Sequence, residues 1–258
     1  MTEPTKPQSD KWRTWDEDAD YGKTLFRRAT GDLEEMESSK AAAKRIRQVL
    51  EPGETLLDVG CGAGHYLRSI RREIGPAVDY QGVDATASYV ELARQAFGSD
   101  SKARFVQGDI FALPFEDRSF DVVMCNNVLL HLPSIAIPLR ELVRVARKFV
   151  LVRLLCAERT QIVRDVHAGE DELDENGETG PFHFFNIYSE RLVRGIVQKQ
   201  PGVARMELEI DRDFDAARIN DSARENDFRP DSTRMLGSYQ VNGAILQPWQ
   251  FLSVWKQR

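Results

Sequence analysis

A glycine-rich turn between a buried strand and a helix constrains the fold of this chain more than any other feature. Residues 56–64 read Leu-Leu-Asp-Val-Gly-Cys-Gly-Ala-Gly. The apolar run before the turn predicts a buried strand, and the residues after it predict a helix over 65–74. Glycine is needed where the backbone takes a positive φ or approaches a ligand closely, and a helix N-terminus attracts an anionic group. The segment therefore predicts an α/β fold with a ligand at this turn.

Strands and helices alternate throughout residues 40–155. Apolar runs predict strands over 55–59, 80–83, 104–107, 121–125 and 149–154, and helical spacing predicts helices over 38–50, 65–74, 88–97 and 134–146. A helix over 189–200 and strands over 206–210 and 251–255 follow. Such alternation is typical of a mostly parallel sheet covered on both faces.

An N-terminal arm and two insertions surround this core, which we assign to one domain over 38–258. Residues 1–37 are the arm, where Trp12, Trp15 and Tyr21 form either a lid over the ligand or, as we favour, an amphipathic helix docked on the domain. Residues 156–188 lack periodicity and are predicted to be a long loop or lid. Residues 211–234 carry mixed charge and are predicted to be a surface insertion. We expect the acidic run from Glu170 to Glu178 to be a solvated loop.

Charge and hydropathy exclude several classes of protein. The chain has 35 basic and 41 acidic residues and a net charge of −6, without the basic stripe that binding to a nucleic-acid backbone requires. No run approaches the roughly 18 apolar residues of a membrane helix, and the first 15 residues lack the apolar stretch of a secretory signal. Three separated cysteines indicate neither a disulfide framework nor a zinc site. We expect a cytoplasmic protein that binds neither membranes nor nucleic acid and holds no metal.

An acidic residue at the end of the second predicted strand further restricts the class of ligand that the turn can bind. Asp84 follows Gly60 by 24 residues (84 − 60 = 24), where an aspartate can accept hydrogen bonds from a ribose diol. A nicotinamide dinucleotide is the natural alternative. Its fingerprint places the third glycine three residues after the second, whereas Gly64 follows Gly62 by two. The pattern favours a different nucleoside-containing cofactor.

Five segments in order resemble the motifs of the class I S-adenosylmethionine-dependent methyltransferases, the branch that includes many small-molecule and quinone methyltransferases. The segments are residues 57–64, 82–84, 105–109, 113–123 and 127–132. The resemblance implies an α/β, Rossmann-like, doubly wound and mostly parallel sheet of seven strands, with helices on both faces and C-terminal insertions. It implies S-adenosyl-L-methionine as cofactor and methyl transfer to an oxygen, nitrogen or carbon atom of a small-molecule acceptor. Residues 156–188 and 211–248 would recognise that acceptor, and a homodimer is left open.

The resemblance also implies a cofactor role for individual residues. The glycine loop, with Asp58 ordering it and Cys61 within it, would hold the methionine moiety, and the ends of the following strands would hold the nucleoside. The set is Asp58, Gly60, Cys61, Gly62 and Gly64 for the loop, Asp84 for the ribose, Ala85, Asp109 and Ile110 for the adenine, and Asn126 beside the methionine chain. For Asp109 the alternative is a turn-capping aspartate, and for Asn126 a purely structural role.

Two histidines are candidates for a catalytic general base. His131 follows the fourth strand, at the edge where a parallel sheet opens its ligand crevice, and an imidazole titrates near neutral pH. Local packing is the alternative. His183 lies in an aromatic segment over 181–188 that would either wall a planar or apolar acceptor or pack in the core. A base is required only where the acceptor must lose a proton, as a hydroxyl does.

A non-catalytic cofactor-binding or scaffold protein with the same fold is the second hypothesis. The Pro-Gly-Gly turn that usually precedes the fifth strand of the family is missing, because residues 144–149 run on without it. This departure leaves the cofactor motifs intact and places the local loop geometry in doubt.

Overall fold

The amphipathic stretches of the sequence form helices and the apolar runs form strands. The computed structural model describes residues 12–16, 18–166, 181–213, 233–236, 239–242 and 245–257. The helices are α1 (Ala19–Thr30), α2 (Glu37–Arg47), α3 (His65–Glu73), α4 (Ala87–Ala96), α5 (Ala136–Val145) and α6 (Glu190–Val197). The strands are β1 (Thr55–Val59), β2 (Asp79–Asp84), β3 (Ala103–Gln107), β4 (Phe120–Asn126), β5 (Ala146–Ala157), β6 (Arg164–Val166), β7 (Phe182–Phe184), β8 (Tyr188–Ser189), β9 (Val203–Ile210), β10 (Thr233–Leu236), β11 (Tyr239–Asn242), β12 (Ile245–Gln247) and β13 (Trp249–Lys256).

The central sheet follows the order β3-β2-β1-β4-β5-β13-β9, with β8 beside the end of β5. The pairs from β3 to β5 are parallel, and β13 lies antiparallel to both β5 and β9. The strand order reverses between β1 and β4, which is where a doubly wound sheet opens its ligand crevice. The predicted Rossmann-like, mostly parallel sheet is confirmed; its seven expected strands are joined by an eighth, the two-residue β8.

Alternate residues of each central strand enter two separate cores, one on each face of the sheet. Leu56 packs with Ile46 of α2 and Ile70 of α3 in one core, and α4 also covers this face. Leu57, its neighbour in β1, packs with Leu139 of α5 and Val193 of α6 in the other core. Successive side chains of a strand point to opposite faces, so a strand with apolar side chains on both faces requires helices on both sides.

The junction between α5 and β5 confirms that no turn separates them. α5 ends at Val145, and Ala146 already has extended backbone angles (φ −79°, ψ 134°) as the first residue of β5. The strand is therefore longer than the predicted 149–154. The missing Pro-Gly-Gly turn changes neither the pairing of β5 with β4 nor the order of the sheet.

The two predicted insertions contain strands that the sequence did not reveal. Within 156–188, β6 and β7 form a short antiparallel pair and β8 adds to β5, so the prediction of a structureless loop is wrong for these residues. Within 211–248, β10, β11 and β12 form a small antiparallel sheet. Strands of two to four residues are too short to show an alternating pattern. The acidic run from Glu170 to Glu178 and most of the segment 211–234 lie outside the described residues.

The arm docks on the domain through α1. Asp18 caps the helix, because its side chain accepts a hydrogen bond from the Tyr21 backbone N–H, and Gly31 ends it in the left-handed conformation at φ 99°. Leu25 on its inner face packs with Ala63 and Tyr89. A docked amphipathic helix is thus present over 19–30, but of the three aromatic residues that we expected in it only Tyr21 belongs to α1, because Trp12 and Trp15 precede it.

Candidate functional site

A cleft opens at the carboxyl ends of β1, β2 and β4. It encloses about 1040 Å³, counting space open to solvent, which suits a small-molecule ligand. Eight of the predicted site residues line it, namely Gly60, Gly62, Asp84, Ala85, Asp109, Ile110, Asn126 and His131. Four others, Asp58, Cys61, Gly64 and His183, are not among the lining residues.

The glycine turn follows β1 and needs glycine for two different reasons. At Gly60 φ is 76°, and a Cβ atom would lie 2.2 Å from a methyl group of Val128, so no larger residue fits beside the cleft. Gly64 is the N-cap residue that immediately precedes α3, with φ 80°. A Cβ atom built on it would lie 2.9 Å from the Phe97 ring. Gly64 thus serves the packing behind the loop, whereas Gly60 forms the surface of the cleft.

Two aspartates hold the loop from opposite sides. Asp84, at the end of β2, accepts hydrogen bonds from the backbone N–H of Gly62 at 2.8 Å and of Thr86 at 2.9 Å. Asp58 is buried behind the loop, where its Oδ2 accepts a 2.6 Å hydrogen bond from the Tyr80 hydroxyl. Burial raises the pKa of Asp58 to about 7, and the charge of Asp84 adds to this increase against the effect of the Tyr80 hydrogen bond. Asp84 lines the cleft, whereas Asp58 lies behind the loop.

The Asn126 side chain is enclosed in the cleft without a hydrogen-bond partner. It is 6% exposed, and neither its Oδ1 nor its Nδ2 has a partner among the described residues. A buried amide left unpaired costs about 1 to 3 kcal/mol, so native structures seldom contain one unless a ligand or water satisfies it. Asn126 therefore indicates a polar ligand in this part of the cleft.

The next residue, Asn127, adopts a strained backbone that a buried ion pair supports. Its φ is 60°, which is uncommon for a residue other than glycine. Its Oδ1 accepts a 2.7 Å hydrogen bond from Arg153 Nη1, and its backbone N–H donates to the Arg153 carbonyl at 3.0 Å. Arg153 Nε in turn donates to Asp211 at 2.7 Å, with both side chains buried. This pair anchors the turn after β4.

At the opposite end of the cleft, the arm meets the residues assigned to adenine. Asp109 accepts a hydrogen bond from the Phe111 backbone N–H at 2.9 Å and forms a 3.2 Å ion pair with Arg13. The Trp12 ring packs edge-on against Phe111, at 6.4 Å between ring centres. Residues 12–13 thus cover this end of the cleft, as a lid would.

The two candidate bases lie in one aromatic cluster. The rings of His131 and His183 are 6.4 Å apart, and Trp15 lies 4.7 Å from the first and 6.1 Å from the second. His183 forms a 3.2 Å contact with Asp165, its partner across the β6–β7 pair. Phe182 and Phe184 are buried in the larger core, so the core-packing alternative holds for these two aromatic residues.

The tautomer of His131 follows from its partner. Its Nδ1 lies 2.9 Å from the backbone carbonyl oxygen of Phe184, and because a carbonyl only accepts, Nδ1 carries the proton and Nε2 keeps a lone pair. Burial lowers the pKa of His131 to about 4, and the proximity of His183 lowers it further against the effect of the Phe184 hydrogen bond. His131 is therefore neutral at physiological pH and can accept a proton at Nε2.

Sequence reasoning assigned no role to several residues that line the cleft, among them His65, Tyr66, Asn127 and Arg13. The first two begin α3, directly after the glycine turn, so their position beside a recognised motif was the available signal. Asn127 begins the motif-like segment 127–132, but its contacts depend on Arg153 and Asp211, which lie far along the chain.

The arrangement suits S-adenosylmethionine. A glycine surface that admits no Cβ, an unpaired amide at Asn126 and a carboxylate at the end of β2 lie in one cleft. These are the groups that the close approach of a methionine chain and the binding of a ribose require.

No helix among the described residues is long and apolar enough to cross a membrane.

Comparisons with known proteins agree with this cleft. A family model described as a methyltransferase domain matches residues 50–184, just over half of the chain. A demethylmenaquinone methyltransferase of Staphylococcus aureus (strain JH9) is 31% identical over 127 residues, which is 48% of this chain and 52% of the relative. The chain thus spans about half the length of the curated relatives it matches.

Two solved structures share the fold. A chain of the complex between the Haloferax volcanii Trm112 methyltransferase activator and a candidate methyltransferase has a TM-score of 0.59 at 20% identity, over 98% of this chain and 100% of its own. Phosphoethanolamine N-methyltransferase 2 of Haemonchus contortus, in complex with phosphomonomethylethanolamine and S-adenosylhomocysteine, has a TM-score of 0.63 at 15% identity, over 98% of this chain and 62% of its own. From the family match, the fold and the cleft together, the chain belongs to the class I S-adenosylmethionine-dependent methyltransferases.

Proposed function

We propose that the protein transfers a methyl group from S-adenosyl-L-methionine to an oxygen, nitrogen or carbon atom of a small-molecule acceptor. The observation that carries this proposal is the unpaired Asn126 amide, enclosed in a cleft at the strand ends beside the glycine turn. When bound, S-adenosylmethionine supplies a methyl group that its positive sulfur already activates. The task of the protein is then to hold the two reactants in line.

The lining residues divide the cleft between the parts of the cofactor. We assign Gly60, Gly62 and Asn126 to the methionine moiety and Asp84 to the ribose. Ala85, Asp109 and Ile110 take the adenine, with Arg13 and Trp12 closing that end. Asp58, Cys61 and Gly64 support the loop from behind.

His131 is the residue we assign to proton removal from the acceptor. Its Nδ1–H is engaged by the Phe184 carbonyl, so Nε2 is the atom that takes a proton from a hydroxyl or phenol. We assign His183 a secondary role beside it, because it packs with Trp15 and His131 but does not line the cleft.

The size of the acceptor is inferred from the relatives. The Staphylococcus aureus relative is named for demethylmenaquinone, and the Haemonchus contortus structure holds phosphomonomethylethanolamine. Both are small molecules of unlike chemistry, so they support a small-molecule acceptor but do not indicate which molecule it is. The two inserted stretches, 156–188 and 211–248, are our proposed acceptor-recognition segments. We also propose a cytoplasmic location, which the free thiols of Cys61, Cys125 and Cys156 support.

Calorimetry with S-adenosylhomocysteine tests the cofactor assignment. We expect micromolar binding, and a loss of at least about tenfold in Asp84→Ala, since hydrogen bonds to a charged group contribute about 1.5 to 3 kcal/mol. Asp79→Ala, at the other end of β2, is the matched control and should bind normally. Equal affinity of the Asp84 variant and the wild type would remove the ribose assignment.

Incubation with labelled S-adenosylmethionine and a metabolite extract tests the reaction itself. Label in a small molecule is expected. If the protein binds the donor and transfers no label to any fraction, the non-catalytic cofactor-binding protein becomes the better account.

A further inference from the structure

One enclosed polar atom of the cleft has no role in the assignments above. His65 is the first residue of α3, is 8% exposed and lines the cleft. Its Nδ1 has no hydrogen-bond partner among the described residues. This atom adjoins the glycine turn, because a Cβ built on Gly62 would lie 3.6 Å from it. An enclosed polar atom without a partner, on a residue that lines a cleft, indicates that a ligand or a water molecule supplies the partner.

The surroundings of His65 favour an anion. The N-terminus of α3 has no acidic residue in its first turn and no side-chain cap, and its partial positive charge attracts an anion. The nearby Asp84 carboxylate is engaged by the backbone N–H groups of Gly62 and Thr86. Arg28 of α1 is half-buried and forms no ion pair among the described residues. Its Nη1 donates a 2.9 Å hydrogen bond to the Glu34 carbonyl oxygen. Burial first, and the charge of Arg28 second, lower the pKa of His65 to about 3. The imidazole is therefore neutral and stands in a positive potential.

We propose that His65 donates a hydrogen bond from Nδ1 to the carboxylate of the methionine moiety, with Arg28 and the N-terminus of α3 supplying the positive potential around it. The proposal rests on the proposed function, since it deepens the assignment of the same cofactor. The ammonium group of the methionine moiety is disfavoured at this position because Arg28 and the helix end would repel it. His65 thus becomes a cofactor-binding residue that selects the amino-acid end of the ligand.

Four ligands that differ only at this end test the proposal by calorimetry. S-adenosylhomocysteine carries carboxylate and amine, its deaminated form keeps the carboxylate, its decarboxylated form keeps the amine, and 5′-methylthioadenosine has neither. In His65→Phe, which keeps a ring against Tyr66, we expect the two carboxylate ligands to bind about 10- to 100-fold more weakly. The decarboxylated form and 5′-methylthioadenosine should bind within about twofold of wild type.

The ligands without carboxylate also report folding, since a misfolded variant would lose all four. In that event His65→Asn, which is smaller and keeps an N–H donor, serves as the second variant and should retain part of the preference for carboxylate. The proposal is overturned if His65→Phe weakens all four ligands equally while its unfolding curve matches wild type, or weakens only the two amine ligands. Failure of wild type to bind S-adenosylhomocysteine would instead overturn the proposed function.

Arg28 provides an independent arm of the test. Arg28→Gln should weaken the carboxylate ligands about three- to tenfold, and the difference should shrink at high salt, because a charge that does not touch the ligand acts through space. Arg27→Gln, its exposed neighbour in α1, is the matched control and should leave all four affinities unchanged. An equal effect of the two substitutions would remove Arg28 from the proposal.

Discussion

At the scale of single residues, burial decides the protonation of the groups around the cleft. Asp58 and His131 are shifted in the directions that favour their neutral forms, to pKa values of about 7 and about 4, because desolvation penalises whichever form is charged. The Asp58 carboxyl therefore becomes charged as the pH rises through about 7, whereas the His131 imidazole becomes charged as the pH falls through about 4.

Asp58→Asn should make stability less dependent on pH. In the unfolded chain the carboxyl ionises near pH 4, whereas in the folded protein burial delays ionisation to about pH 7. The stabilising effect of the raised pKa is complete below pH 4 and is lost as the pH rises to 7. Across that window wild type should lose about 1.4 kcal/mol per pH unit relative to the variant. Urea unfolding at pH 5 and pH 7 measures this, and parallel curves for the two proteins would contradict it.

His131→Gln should abolish most of the turnover and leave cofactor affinity unchanged. Loss of a general base costs about 10²- to 10⁴-fold in kcat, provided that the acceptor must lose a proton. In wild type the activity should persist from pH 7 down to about 5, because the pKa of His131 is about 4. A wild-type profile that falls around pH 6.5, as for an unperturbed histidine, would show that another group titrates.

At the scale of elements, the turn between β1 and α3 is predicted partly by the sequence and depends partly on the fold. The glycines of residues 60–64 predict a ligand-binding turn. That Gly60 forms the surface of the cleft, whereas Gly64 packs behind it, depends on Val128, Phe97 and Phe105, which come from distant segments.

Gly64→Ala should destabilise the fold by about 2 to 4 kcal/mol. The new methyl group would adopt φ 80° and overlap the Phe97 and Phe105 rings at 2.9–3.2 Å, so backbone strain and overpacking add. Gly53→Ala is a matched control, since Gly53 has φ 86° with no atom within 4 Å of a Cβ, and it should cost only about 1 kcal/mol. Urea unfolding of both variants separates the two causes. Equal losses would mean that the ring contact contributes nothing.

At the scale of the whole molecule, one buried ion pair joins the end of β9 to the cleft. Arg153 and Asp211 lie 58 positions apart in sequence, at 5% and 0% side-chain exposure, and Arg153 also stacks on the Trp249 ring at 4.0 Å. Through Asn127 the same guanidinium supports the turn beside the ligand. The last strands of the chain thus contribute to the shape of a site whose motifs end near residue 132.

Asp211→Ala should destabilise the protein by about 3 to 5 kcal/mol, because it leaves the Arg153 charge buried and unpaired. The double variant Arg153→Met/Asp211→Leu should recover most of that loss, since it removes both charges. Asp79→Ala, which breaks a partly exposed pair with Arg104, should cost less than about 1 kcal/mol. Thermal unfolding of the three variants provides the comparison, and a double variant no more stable than Asp211→Ala would argue against a charge effect.

Prediction from sequence succeeded where the signal is local. The alternation of apolar strands with amphipathic helices predicted each strand of the central sheet and α2 to α6, with small shifts at their ends. It missed β6 to β8 and β10 to β12, whose two to four residues carry no period. It favoured a helix that includes Trp12 and Trp15, whereas both residues precede α1. The helix α1 docks on the domain without them, and Trp12, Arg13 and Trp15 line the cleft.

By itself, then, the sequence determined the fold class, the glycine turn and the likeness to the methyltransferases, because each depends on residues close together in the chain. Only the tertiary structure brought His131 and His183 into one cluster and paired Arg153 with Asp211. It also left the Asn126 amide and His65 Nδ1 without partners among the residues that the structure describes. Burial, pairing and the pKa shifts that follow are properties of neighbours in space, and residues that are distant in sequence become neighbours only when the sheet and its covering helices assemble.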